Sequence, residues 1–99
     1  MDTKAFSNVV LIEFPRKGAH AIAFVTGKTS GELQRLTSNN HIKIFIPTTP
    51  NPTSGFIIFA DPSEIIELNM TVEEGIKYVI SGGIVSPKHV EKLVSDFSV

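Results

Sequence analysis

Apolar runs broken by proline and glycine fill the first two-thirds of the chain, and a helical period takes over only near residue 71. Asn8 to Phe14 is almost wholly Val, Leu, Ile and Phe, interrupted by Glu13, which predicts a central strand buried on both faces. Pro15-Arg16-Lys17-Gly18 predicts a turn. Ala19 to Thr26 predicts a second strand, with His20, Ile22 and Phe24 on one face and Ala21, Ala23 and Val25 on the other. A hairpin is the simplest way to join the two. Gly27 to Asn40 is punctuated by Gly27, Gly31 and Asn39-Asn40 and predicts a mobile excursion, in which Glu32 to Leu36 could form one helical turn. His41 to Ile46 predicts a third strand with Ile42, Ile44 and Ile46 on one side. Gly55 to Ala60 predicts a fourth, and Glu64 to Leu68 a short fifth at an edge.

From Thr71 the period changes. Thr71 and Glu74 have the spacing of a capping box. Val72, Ile76, Val79 and Ile80 then fall on one helical face, and Gly82-Gly83 stops the helix. Gly75 inside such a helix is unfavourable by roughly 1 kcal/mol against alanine, which suggests close approach to a neighbouring element. Ser86 and Pro87 predict the start of a second helix carrying Val90, Leu93, Val94 and Phe97 on one face. Strands first and helices last make an α+β fold: four to five mainly antiparallel strands, with two C-terminal helices packed on one face of the sheet.

Between the third and fourth strands lies Pro47-Thr48-Thr49-Pro50-Asn51-Pro52-Thr53-Ser54-Gly55. Three prolines fix three φ angles, remove three backbone donors and push the preceding residues towards extended geometry. A connector that only reversed the chain could be far shorter. The segment is therefore read as a stiff loop that presents Thr48, Thr49, Asn51, Thr53 and Ser54 to a partner, head group or small anion, with backbone N–H groups near Thr53, Ser54 and Gly55 forming a possible anion-binding concavity. It lacks the lysine and paired glycines of a phosphate-binding P-loop. Pro47 and Pro50 also fit P-x-x-P spacing. If the two proline-bearing loops share one end of the sheet, Arg16 could meet an anion held by Thr48 or Ser54.

Composition narrows the choices. The 99 residues predict one domain over 1–99 with an adequate core. An apolar fraction of 41% with 19% charged residues is globular. A net charge of −1 offers no electrostatic case for nucleic acid. The absence of cysteine excludes disulfides and thiolate chemistry. His20, His41 and His89 lack metal-ligand spacing, so no metal site or cofactor is expected. Asp61, Glu64 and Glu67 read as a solvated turn, and Ser54 is not in a nucleophile elbow, so no catalytic residue is assigned. No apolar stretch reaches the length of about 20 residues that spans a bilayer.

Several segments appear in the order of a known family: Phe14-Pro15-Arg16-Lys17-Gly18, Ile22-Ala23-Phe24-Val25-Thr26-Gly27, Ile44 through Phe56 with its proline-threonine run, and Ile80-Ser81-Gly82-Gly83. Together they resemble domain-of-unknown-function family five hundred and two, which includes the plant continuous-vascular-ring (LIKE-COV) proteins. The resemblance implies a soluble domain belonging to a longer integral membrane protein with two N-terminal spans, located at the cell membrane or an endomembrane. It brings no catalytic residues. The expected role is a non-enzymatic interaction or assembly module acting through residues 47–55. Its partner would be a protein or the membrane assembly itself, and Arg16 and Lys17 would add contact with anionic lipid head groups. The rival expectation is a small-molecule-binding or hydrolytic domain with a pocket lined by the same loop.

Overall fold

In the computed structural model, residues 5–37 and 40–85 are described. The strands are β1 (Asn8–Glu13), β2 (His20–Lys28), β3 (Ile42–Pro47), β4 (Gly55–Ala60) and β5 (Ile65–Glu67). The helices are α1 (Gly31–Leu36) and α2 (Val72–Ile80), and a 3-10 turn occupies Pro62–Glu64. The sheet order is β4-β3-β2-β1-β5, antiparallel at every pairing. The fold is α+β, and β5 is the short edge strand that the sequence predicts.

Strand directions show how the sheet is shaped. β1 to β4 form a meander, so β4 runs opposite to β1, and β5 also runs opposite to β1. β4 and β5 therefore run the same way and are separated by only residues 61–64. In a flat sheet these edge strands would lie about 19 Å apart at roughly 4.8 Å per strand. Five chain steps, three of them through a 3-10 turn, cannot cover that distance. The sheet must curl, so that the chain pairs first with β3 and then, past the turn, with β1 on the other edge. The rings of Phe14 and Phe56 meet at 5.3 Å although β2 and β3 intervene, as the curl requires. A bulge between Val25 and Gly27 in β2 adds local bend.

Each side of the sheet carries its own core. Inside the curl, Val10, Ile12, Ala23, Ile44, Ile46 and Ala60 are buried together. The alanines leave room on this concave face for the larger isoleucines. On the outer face, Phe6, Val9, Phe24, Met70 and Val79 form a second cluster, and α2 packs there through Val72, Ile76 and Val79. Phe6 stacks on Phe24 with centroids 4.8 Å apart. This division matches the alternation read along β2: Ile22 and Phe24 outward, Ala21 and Ala23 inward.

Helix α2 begins as its sequence predicts. The Thr71 hydroxyl accepts from Glu74 N–H at 3.1 Å, and the Glu74 carboxylate accepts from Thr71 N–H at 2.8 Å. It closes with Gly83 N–H donating to the Tyr78 carbonyl at 2.8 Å. Within the segment read as an excursion, the helical turn suggested at Glu32 to Leu36 is present as α1, a six-residue helix with no buried residue and with Leu36 exposed. The second C-terminal helix, expected from Ser86, lies outside the described residues. No helix among the described residues is long and apolar enough to cross a membrane.

Candidate functional site

The β1–β2 turn and the β3–β4 loop lie at the same end of the sheet, because β1 and β3 run in the same direction. The Phe14–Phe56 contact joins them. The condition set for Arg16 is thus met in position but not in contact. Arg16 Nη1 donates to the Lys17 carbonyl at 3.1 Å, so the guanidinium folds back over its own turn. No hydrogen bond connects Arg16 to Thr48 or Ser54 among the described residues.

The loop itself is exposed, yet its polar groups are largely committed to one another. Thr48 N–H donates to the Ser54 carbonyl at 2.8 Å and closes the loop's base. The Thr48 hydroxyl lies 2.9 Å from the Asn51 carbonyl and 2.7 Å from the Ser54 hydroxyl. Asn51 Oδ1 accepts from Thr53 N–H at 3.1 Å and from the Thr53 hydroxyl, a local side-chain turn typical of asparagine. Ser54 N–H points to the Asn51 carbonyl at 3.5 Å. Of the three amides suggested for an anion-binding concavity, Thr53 and Ser54 are therefore turned into the loop. Thr49 reaches furthest: its hydroxyl donates to the Val79 carbonyl, near the C-terminal end of α2. The same carbonyl also accepts from Gly82 N–H at 3.0 Å, so Thr49 adds a second donor at the end of the helix and ties the loop to it.

Gly55 fixes how the loop meets the sheet. A β-carbon there would stand 1.9 Å from the Ile46 carbonyl oxygen, a backbone atom that cannot step aside. Beyond Gly55, Phe56 is 54% exposed and Ile57 65% exposed. Pairing across β3 and β4 has a definite phase. The Thr48–Ser54 bond makes that pair hydrogen-bonded, and bonded and non-bonded pairs alternate in an antiparallel ladder. Phe56, Ile58 and Ala60 therefore bond to β3, while the N–H and C=O groups of Gly55, Ile57 and Phe59 face away from the sheet.

A cleft of about 370 Å³ lies beside the loop, lined by His20, Ile22, Pro47, Thr49, Tyr78, Gly82 and neighbouring residues. Thr48, Asn51, Thr53 and Ser54 do not line it. Asp61 stands at the other end of β4. Its carboxyl is held below the ordinary value, first by the Ser63 backbone N–H and then by the Ser63 side chain; loss of solvation opposes this, and the least contribution, again lowering, comes from His41. Nearby, Thr29 Oγ1 and His41 Nδ1 are buried without a partner among the described residues. No group of three or more histidine and acidic residues capable of holding a metal occurs among them either. Sequence reasoning missed the involvement of His20 and Tyr78 in the cleft, and it missed that the outer edge of β4 has no strand partner among the described residues. The latter had a signal, since Gly55–Ala60 contains no charged residue.

The family described as "Protein of unknown function (DUF502)" matches residues 1–54. Three curated proteins of Arabidopsis thaliana are similar over nearly the whole chain. Protein LIKE COV 1 is 31% identical over 93% of the chain and 35% of its own length. Protein CONTINUOUS VASCULAR RING 1 is 32% identical over 88% of the chain and 32% of its length. Protein LIKE COV 2 is 30% identical over 92% of the chain and 35% of its length. The chain thus spans about a third of the curated relatives it matches. No solved structure matches it.

Proposed function

The chain belongs to the DUF502 family of proteins of unknown function, and from that premise we propose that it is a single domain serving as a non-enzymatic interaction or assembly module in a longer, membrane-associated protein. The observation that carries this reading is the pairing of a self-satisfied loop with an apolar rim. The hydroxyls of Thr48, Thr49, Thr53 and Ser54 are spent on holding the loop's shape. Immediately after it, Phe56 and Ile57 stand exposed at the same end of the sheet. A rigid polar turn that props up exposed apolar groups suits docking to another protein. Thr48, Asn51, Thr53, Ser54 and Gly55 would form the polar border of that contact. Arg16 and Lys17, exposed at the same end, would each add about 1 kcal/mol against anionic head groups.

A small-molecule-binding or hydrolytic domain has the cleft beside α2 in its favour. Of the loop, however, only Pro47 and Thr49 line that cleft, and the Thr49 hydroxyl is already donated to Val79. The interaction reading is tested by placing a photo-crosslinking residue at position 56 of the full-length protein in its own membrane, with position 36 on the exposed helix α1 as control. Protein adducts from position 56 and none from position 36 are expected. Absence of adducts from position 56 would remove the reading.

A further inference from the structure

We infer that β4 pairs edge to edge with β4 of a second copy of this chain, in an antiparallel register centred on Ile57. This rests on the interaction reading above and names its partner.

The argument starts from the two edges of the sheet. β5 is protected: it is three residues long and ends in Glu67, whose carboxylate accepts from the Asn8 amide at 3.3 Å. β4 is twice as long and reads Gly-Phe-Ile-Ile-Phe-Ala, with no proline and no charge. Natural sheets blunt an open edge with lysine, proline or a bulge, and β4 carries none of these. Its outward N–H and C=O groups belong to Gly55, Ile57 and Phe59 by the ladder phase set at Thr48–Ser54. Among the described residues these groups have no backbone partner on that side.

Charge selects the occupant. β1 and β5 each contain a glutamate, and β2 and β3 each contain a lysine. β4 is the uncharged strand among those described, so it complements itself better than it complements any other strand of the chain. A two-fold axis at Ile57 sets Ile57 against Ile57 of the second copy. Gly55 then lies opposite Phe59, and Phe59 opposite Gly55, as bonded pairs. An aromatic ring laid over a glycine is a recognised cross-strand arrangement. On the concave side Phe56 faces Ile58 of the other copy, which covers the exposed Phe56 ring. No like charges meet along the seam, since the next residues outward place Asp61 opposite Thr53. An isologous contact of this kind closes as a dimer rather than extending into a fibre.

The area is modest. Six residues on one edge, Phe56 and Ile57 among them, fall well short of the about 1,600 Å² of a standard interface. Association of the isolated chain is therefore expected to be weak, with a Kd on the order of 100 μM, and stronger where copies are held close together.

Sedimentation equilibrium on the 99-residue chain from about 10 μM to about 1 mM would read the association, and amide exchange at both ends of that range would locate it. The expected result is a monomer–dimer equilibrium in which the amides of Gly55, Ile57 and Phe59 gain protection with concentration. Ile57→Lys, which sets two cations at the axis, should weaken the dimer at least about 10-fold. Ile57→Pro removes the central outward donor without touching the bonds to β3, and it should do the same. Circular dichroism identifies a variant that fails to fold, and Ile57→Lys, which leaves the backbone intact, then decides. A monomer at every concentration overturns the pairing, whether the three amides exchange freely or are covered within one chain. A dimer indifferent to Ile57→Lys overturns it as well. Should position 56 crosslink only to a different protein, the pairing fails while the interaction reading stands; no adduct of any kind removes both.

Discussion

Gly75 of α2 rests on Val9 of β1 so closely that a β-carbon at residue 75 would lie 3.0 Å from Val9 Cγ2, and equally 3.0 Å from Phe24 Cε1. Val9 and Phe24 are both fully buried, so neither has room to give. Two effects then oppose each other in Gly75→Ala. Alanine favours the helix by roughly 1 kcal/mol, and overpacking opposes it by about 1–3 kcal/mol. Packing is expected to win, with a net loss of about 1 kcal/mol in chemical denaturation, while Gly75→Leu should cost well over twice that. A stabilised Gly75→Ala would mean that α2 can move off the sheet at little cost.

Gly55 is a harder constraint, because its neighbour is backbone. The added β-carbon of Gly55→Ala would meet the Ile46 carbonyl oxygen at 1.9 Å, and relief requires separating β3 from β4 at their paired ends. A loss of about 2–4 kcal/mol is expected, with Gly55→Val worse still. Thermal melts read this directly, and an unchanged midpoint in Gly55→Ala would show that the loop can re-enter the sheet by another path.

The cap at Thr71 gives a smaller and more local effect. Thr71→Ala removes the acceptor for Glu74 N–H and should lower stability by about 1 kcal/mol, while Thr71→Ser should be close to wild type. Equal losses in the two variants would point to the threonine methyl rather than the hydroxyl.

Asp61 predicts a pH dependence whose sign can be worked out. Its folded carboxyl is held below the ordinary value, chiefly by the Ser63 N–H at 2.9 Å. The ionised form is therefore favoured by folding, and its contribution is present in full above the unfolded value near about 4. That contribution fades as pH falls through the folded value. In Asp61→Asn the cap can persist but cannot titrate. Denaturation midpoints from neutral to acid pH should thus fall less steeply in the variant than in wild type. Parallel curves would assign the acid sensitivity to other carboxylates.

Local chemistry was the legible part of this fold. The Thr71–Glu74 box, the close approach at Gly75 and the opposite faces of Ile22 and Ala23 each follow from residues a few positions apart, where propensity and periodicity act directly. The pairing of β5 with β1 was not legible, nor was the curl that it imposes. Both depend on a long-range choice of edge that the alternation in Ile65–Glu67 does not encode. The loop was legible as a stiff, polar, special segment. The partners of its hydroxyls were not, because the Thr49–Val79 bond joins residues 30 positions apart and exists only once α2 is seated on the sheet. A proline-rich run of threonines reads the same in sequence whether its hydroxyls face a ligand or each other.

That ambiguity gives the last prediction. Asn51 Oδ1 holds both the N–H and the hydroxyl of Thr53, and Thr49 ties the loop to α2. If these groups serve shape, Asn51→Ala and Thr49→Val should each lower stability by about 1–2 kcal/mol. Asn51→Asp, which keeps the accepting oxygen, should stay near wild type. The losses should be close to additive, since Asn51 braces the loop internally and Thr49 anchors it to a helix. Crosslinking from position 56 should persist in the single variants at temperatures where they remain folded, because the apolar rim is untouched. Variants as stable as wild type that nonetheless lose the crosslink would reverse the assignment, making Thr49 and Asn51 contact groups for the partner rather than braces for the loop.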